Sequence, residues 1–168
     1  MEYGFCPKCG NEADKKAHNL LVCKNCDYNF YLNPAATNAV ILENPKGEIL
    51  LVRRKFEPMK GSLDLPGGFV ESGETLEDSA IREIKEELGI DVPEVKYFGS
   101  YPDEYLFQEV NIKTLGFILT ARTDIEDAST ITPSDDVDDA KFYDKDSLPI
   151  EEVAFNSLKE ALTDYLKK

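Results

Sequence analysis

The stretch IREIKEELGI places Glu83, Glu86 and Glu87 within little more than one turn of a candidate helix. Each helical residue turns about 100°, so the three carboxylates share one arc of about 100°. That arc lies beside an apolar stripe of Leu76, Ala80, Ile84 and Leu88, while Lys85 lies on the far side. A face meeting only water belongs opposite the stripe. Three carboxylates beside it repel one another and lose hydration. A hard divalent cation answers both costs, because Mg2+ takes oxygen ligands and keeps water and substrate phosphate as the rest of its shell. The competing reading is a solvated glutamate-rich helix, since such runs are common on helix surfaces. Just ahead, Pro66-Gly67-Gly68 lets the backbone approach closely and offers carbonyl oxygens. Glu74 precedes the helix, and Arg82 is placed to reach a carboxylate and fix its orientation.

A second constellation lies near the start of the chain. Cys6-x2-Cys9 and Cys23-x2-Cys26 are two turns that can point four thiolates at one centre. That is the tetrahedral set Zn2+ prefers, and four sulfur ligands leave no open position, so the expected role is structural. His18, the single histidine, falls between the two turns and is expected to be a partly exposed residue with no ligand role. Without a histidine elsewhere, Ser-His-Asp and Cys-His catalysis are excluded.

The formal net charge is −14 over 168 residues. Such a surface argues against broad nucleic-acid binding, which needs cations to displace counterions, and against anionic membranes. Small phosphorylated substrates stay admissible through a divalent cation. Apolar runs such as AVIL and EILLV are too short to cross a bilayer. No basic-then-apolar leader precedes them, and the expected location is cytoplasmic.

The elements that must position these residues read as follows. TNAVILEN and EILLVRRK flank PKGE as strand, turn and strand. SLDLPGGFV is strand-like and broken at Pro66-Gly67-Gly68. ETLEDSAIREIKEELG is a helix with Thr75 as N-cap, Glu77 and Asp78 in its first turn and Gly89 at its stop. EVKYFGSY, NIKTLGFILTAR and DAKFYD are further strands, and FNSLKEALTDYL is a closing helix with Phe155, Leu158, Leu162 and Leu166 inward. A mixed sheet with helices on its faces is the expected architecture. The expected division is a four-cysteine zinc ribbon at 1–33 and an α/β domain at 34–168.

The segment from Gly68 to Ile90 resembles the Nudix box, Gly-x5-Glu-x7-Arg-Glu-U-x-Glu-Glu-x-Gly-U, with U a bulky aliphatic. Gly68, Glu74, Arg82, Glu83, Ile84, Glu86, Glu87, Gly89 and Ile90 fill its specified places. The resemblance covers residues from about 36 to 166 and implies an α/β/α sandwich around a mixed sheet. It implies that Glu83, Glu86 and Glu87 hold Mg2+ or Mn2+, with the Gly68 carbonyl as a further ligand. Arg82 and Glu74 match the supporting ion pair. The implied reaction is hydrolysis of a pyrophosphate bond in a nucleoside diphosphate linked to a group X. In that reaction the metals would neutralise phosphate charge and lower the pKa of a water, and a carboxylate would take its proton. Glu86 or Glu87 can fill that role, as can Asp136 ahead of the late strand.

A zinc ribbon ahead of such a domain resembles the NADH pyrophosphatase branch. That branch carries Ser-Gln-Pro-Trp-Pro-Phe-Pro-x-Ser after the box, whereas this chain has GSYPDEYLFQEV and no Trp. ADP-ribose, NAD(H) and related sugar nucleotides are therefore all candidate substrates. Tyr101, Tyr105 and Phe107, read as part of a loop, are candidates for stacking on a base, with edge packing or a homodimer contact as the alternative. Arg53 and Arg54 end a strand on opposite faces, and one of them is a candidate phosphate contact. The expected partner is a small nucleotide, with neither DNA nor membrane. The alternative function is a nucleotide-sensing reader that acts through the ribbon on a protein or RNA without turnover.

Overall fold

Two faces of one strand set the architecture. Strand β4 (Ala35–Glu43) is buried along most of its length, and its side chains alternate between two cores. Val40 and Leu42 pack with Ala80, Ile84 and Leu88, while Ala39 and Ile41 pack with Leu158, Ala161 and Leu162. A strand covered on both sides reads as a continuous apolar run, which is what AVIL is. The two helices supply the covers: α1 (Leu76–Leu88) on one face and α2 (Asn156–Tyr165) on the other. The computed structural model describes residues 4–134 and 136–168, with Tyr105 described by its backbone alone.

A small antiparallel sheet comes first, of β1 (Ala13–Lys15), β2 (Leu20–Cys23) and β3 (Asn29–Tyr31). The larger sheet adds β5 (Ile49–Arg54), β6 (Leu63–Asp64), β7 (Lys96–Phe107), β8 (Val110–Arg122) and β9 (Val137–Tyr143). Its order is β6-β5-β4-β8-β7, with β9 also pairing β5. The β4–β8 pairing is parallel, from Ala35↔Thr114 to Glu43↔Arg122, and the rest are antiparallel. The fold is thus an α/β/α sandwich around a mixed sheet, as expected. Among the described residues no helix is long and apolar enough to cross a membrane.

Helix α1 has the predicted ends. The Thr75 hydroxyl oxygen accepts the Asp78 N–H at 3.1 Å, and Gly89 closes the helix at φ 69°. Helix α2 has no side-chain cap of its own. A carboxylate from another strand supplies one: Asp103 on β7 accepts the Ser157 N–H at 3.0 Å.

The segment 99–110 differs from its reading as a loop. Strand β7 runs unbroken through Tyr101, Pro102 and Tyr105 to Phe107, and turns into β8 at Gln108 and Glu109, both at positive φ. Pro102 and Asp103 sit in the middle of this strand. Strand β7 is an edge strand, and an edge tolerates a proline whose missing N–H has no partner to lose.

Candidate active site

The segment after β6 runs antiparallel beside β4, with Asn38 N–H donating to the Gly68 carbonyl at 2.8 Å and Val40 N–H to that of Pro66 at 2.8 Å. At Gly67 nothing larger than glycine fits, and at Gly68 a side chain would have to displace the Glu83 carboxylate. A Cβ on Gly67 would lie 2.3 Å from the Asn38 carbonyl oxygen, and one on Gly68 would lie 2.6 Å from Glu83 Oε1. The two glycines therefore let α1 bring its glutamates against backbone. The Gly68 carbonyl is turned to β4, where the Asn38 amide also approaches it at 3.4 Å.

The three glutamates are not equivalent. Glu87 is 3 % exposed, Glu83 is half-buried and Glu86 faces solvent. Glu87 accepts the Gly67 N–H at 3.1 Å. Burial pushes its carboxyl up to about 10, the nearby Asp136 adds to this, and the Gly67 N–H works against it. Burial also raises Glu83, opposed by Arg82 and reinforced by Glu86 and Asp136. Asp136 is held opposite α1 by its own segment. Ser134 N–H donates to the Glu87 carbonyl at 2.9 Å, the Ser134 hydroxyl donates to that of Glu86, and Lys55 N–H donates to that of Asp136 at 2.8 Å. Ser134 thus caps the end of α1 and anchors the approach to β9 in one contact.

Arg82 spans the remaining acids. Its guanidinium reaches Glu74 at 2.8 Å, Glu83 at 2.8 Å and Glu86 at 3.0 Å. It also donates to the Phe69 carbonyl and the Ser79 hydroxyl, each at 3.3 Å. The bond from Arg82, with a second from the Glu71 N–H, brings the Glu74 carboxyl down to about 2. Ser79 is fully buried and accepts from the Asn38 amide at 2.8 Å, which ties Arg82 to the sheet. Neither Ser79 nor Asn38 was anticipated; a serine on the inward face of an amphipathic helix was the one available signal.

Oxygen donors of this kind are those a hard divalent cation takes, although among the described residues only the four cysteines bring three or more ligand atoms within 4.8 Å of one another. Glu83, Glu87 and Asp136 face one another with Gly68 leaving room at Glu83, and Glu86 adjoins them. Asp136 lines a cavity of about 390 Å3 together with Gly67 and Gly68, Arg54, Asp64, Phe69 and Phe107 among others, while Glu83, Glu86 and Glu87 are not part of that lining. Arg54 pairs with Asp64 at 2.6 Å, donates to the Pro58 carbonyl at 2.8 Å and lies over the Phe155 ring at 5.1 Å. Burial pushes the Asp64 carboxyl up, and the Arg54 guanidinium opposes it. Arg53 turns instead to the Gly61 carbonyl and is absent from the cavity wall. Phe107 lines the cavity, but Tyr101 does not: its ring packs toward α2 and its hydroxyl donates to Asp164 at 3.3 Å. The Tyr105 side chain lies outside the described residues.

The four cysteine sulfurs lie within 4.8 Å of one another, with Cys6–Cys26 at 3.8 Å and Cys9–Cys23 at 3.5 Å. Hydrogen bonds from Asn11 draw the Cys9 thiol down to about 6, toward the thiolate that binds metals. His18 is exposed in the turn between β1 and β2, away from this set.

Glu87 carries a pH consequence. Its folded pKa is raised from 4.5 to about 10, so the folded cation-free protein keeps a proton that the unfolded chain has lost. Its contribution to stability is full below about 4.5 and declines as pH rises toward 10. Glu74 acts oppositely, but only between about 2 and 4.5. Thermal unfolding without added Mg2+ or Mn2+ should therefore show Tm falling from pH 5.5 to 8.5, with a flatter slope for Glu87→Gln. Equal slopes for the two proteins would contradict this electrostatic picture.

With this geometry in hand, the comparisons with known proteins are specific. A family model described as NUDIX domain matches residues 32–164. An ADP-ribose pyrophosphatase from Methanocaldococcus jannaschii is 38% identical over 141 residues, covering 83% of this chain and 78% of that protein. The NAD-capped RNA hydrolase NudC of Haemophilus influenzae is 33% identical over 146 residues, 84% of this chain and 52% of its own. The chain thus spans about half the length of this NudC relative. A crystal structure of a NUDIX hydrolase from Nitrosomonas europaea superposes with a TM-score of 0.70 at 25% identity, covering 97% of this chain and 90% of that one. The sandwich is that of a Nudix domain, and the chain belongs to the Nudix family as an enzyme of that type.

Proposed function

We propose that the chain hydrolyses the pyrophosphate bond of a nucleoside diphosphate linked to a second group, with ADP-ribose as the leading substrate and NAD(H)-type dinucleotides next. The observation that carries this reading is the buried Glu87, bonded to the Gly67 N–H and near Asp136 and Glu83, just behind the wall that Gly67, Gly68 and Asp136 form. The archaeal relative, matched over most of both chains, supports ADP-ribose; the match to NudC supports a dinucleotide diphosphate. Mg2+ or Mn2+ held by Glu83, Glu86 and Glu87 would neutralise phosphate charge and lower the pKa of water at the site.

The chain's own residues do the rest. Arg82, bonded to Glu74, Glu83 and Glu86, fixes the carboxylates that face the ligand. Gly67 and Gly68 leave room for the β4 backbone and the Glu83 carboxylate where a Cβ would collide. We assign the proton-accepting role to the Glu87–Asp136 pair. The oxygen of a water forms a bond to one phosphorus, the bridging P–O bond breaks, and the water's proton passes to this pair. ADP-ribose would give AMP and ribose 5-phosphate. Arg54 presents its guanidinium edge to the cavity but is largely spent on Asp64, and Phe107 offers a ring to a base. We further propose that residues 1–33 form a separate ribbon around one structural Zn2+ held by Cys6, Cys9, Cys23 and Cys26, followed by the catalytic domain at 34–168. Free thiols at these distances fit a reducing, cytoplasmic setting.

Two measurements test this. With Mg2+ or Mn2+ and a panel of ADP-ribose, NADH, NAD+, FAD, dinucleoside polyphosphates and dNTPs, mass analysis should show AMP and ribose 5-phosphate from ADP-ribose. Glu87→Gln and Asp136→Asn should each slow that turnover by about 10²–10⁴-fold. No turnover of any member would favour a nucleotide reader, and intact turnover in both variants would sink the assignment of the pair. Elemental analysis of reduced, freshly purified protein should find one zinc per chain; a metal-free ribbon would refute the zinc site.

A further inference from the structure

The charge of the cavity wall points to a rule of exclusion. Five of the lining residues are acids: Glu57, Asp64, Asp103, Glu104 and Asp136. Among the described lining residues Arg54 is the one cation, and its guanidinium already meets the Asp64 carboxylate, the Pro58 carbonyl and the Phe155 ring. Asp103 is engaged in capping α2. Glu104 shares one oxygen with Lys113 and Asn111, both outside the lining, and Glu57 is exposed at the rim.

We propose that this wall selects a nucleoside diphosphate whose pyrophosphate is its sole anionic group, and rejects one carrying a further phosphate, with Glu57 and Glu104 enforcing the choice. The inference rests on the pyrophosphatase reading and names the substrate class within it. A pyrophosphate lying beside Gly67, Gly68 and Asp136 would have its charge met by a cation that the adjoining Glu83 and Glu87 would hold. A phosphate elsewhere on the ligand, on a ribose 2′-oxygen for example, meets carboxylates and no free cation. Each carboxylate adds a repulsion that acts over roughly a Debye length, about 10 Å at 0.1 M salt. A ribose 2′-hydroxyl, by contrast, is a donor that carboxylates, Thr37, Thr114 and Ser157 on the same wall can accept.

The decisive comparison is ADP-ribose against ADP-ribose 2′-phosphate at fixed Mg2+, in 50 mM and 500 mM KCl. At low salt kcat/KM should favour ADP-ribose by at least about tenfold, and the ratio should shrink at high salt. Glu57→Gln combined with Glu104→Gln, both on exposed residues, should narrow the ratio by raising kcat/KM for the phosphorylated substrate. Equal turnover of the two substrates overturns the proposal. So does a ratio indifferent to both salt and the double substitution, since the barrier would then be steric. Equilibrium dialysis of the same two nucleotides gives the same ratio as affinities. If neither nucleotide is cleaved, the hydrolase reading fails while the binding ratio still decides this one.

Discussion

Everything at this site follows from burying one carboxylate. Glu87 lies against the sheet with the Gly67 N–H on one oxygen and Asp136 nearby, and burial lifts its pKa to about 10. A buried acid beside other acids is costly unless a proton or a cation accompanies it. The surroundings are arranged around that demand. Gly67 and Gly68 carry no side chains because α1 and β4 come too close for them. Ser134 ties the segment bearing Asp136 to the last turn of α1, so Asp136 and Glu87 are fixed relative to each other. Arg82 gathers the outer carboxylates, and Ser79 with Asn38 joins Arg82 to the central strand.

The fold supplies rigidity for this arrangement. Strand β4 is covered by α1 on one face and α2 on the other, and the active-site segment pairs along its edge. Helix α2 borrows its cap from Asp103 of β7, so the wall of the cavity and the far helix are joined through one hydrogen bond. Groups on packed elements are held more tightly than groups on free loops; Glu87 sits on α1, and Asp136, in the turn just ahead of β9, is tied to α1 through Ser134.

Much of this was legible in the sequence, and unevenly so. The ends of α1 follow from Thr75 and Gly89, and the buried strands from their apolar runs, because those signals are local. The placing of Glu83, Glu86 and Glu87 beside the apolar stripe was legible from helical spacing. Their inequality was not: Glu87 is buried and Glu86 exposed because of Gly67 and Asp136, residues distant in the chain. Of Arg53 and Arg54 one is expected at the ligand, and Arg54 is the one that lines the cavity. Tyr101 takes the edge-packing alternative, packed toward α2 on an unbroken β7, a choice that depends on tertiary contacts. Ser79, Asn38 and Ser134 act through contacts across the chain that no spacing pattern carries.

The most direct test of this account is the number of protons released when a cation binds. Titrating Mn2+ into metal-depleted protein at pH 7.5 in two buffers of different ionisation heat yields that number. If Glu87 holds a proton that the cation displaces, wild-type protein releases about one proton per site occupied, and Glu87→Gln releases essentially none. Cation binding with no proton release from the wild type would contradict the central claim, because Glu87 would then already be ionised in its buried position.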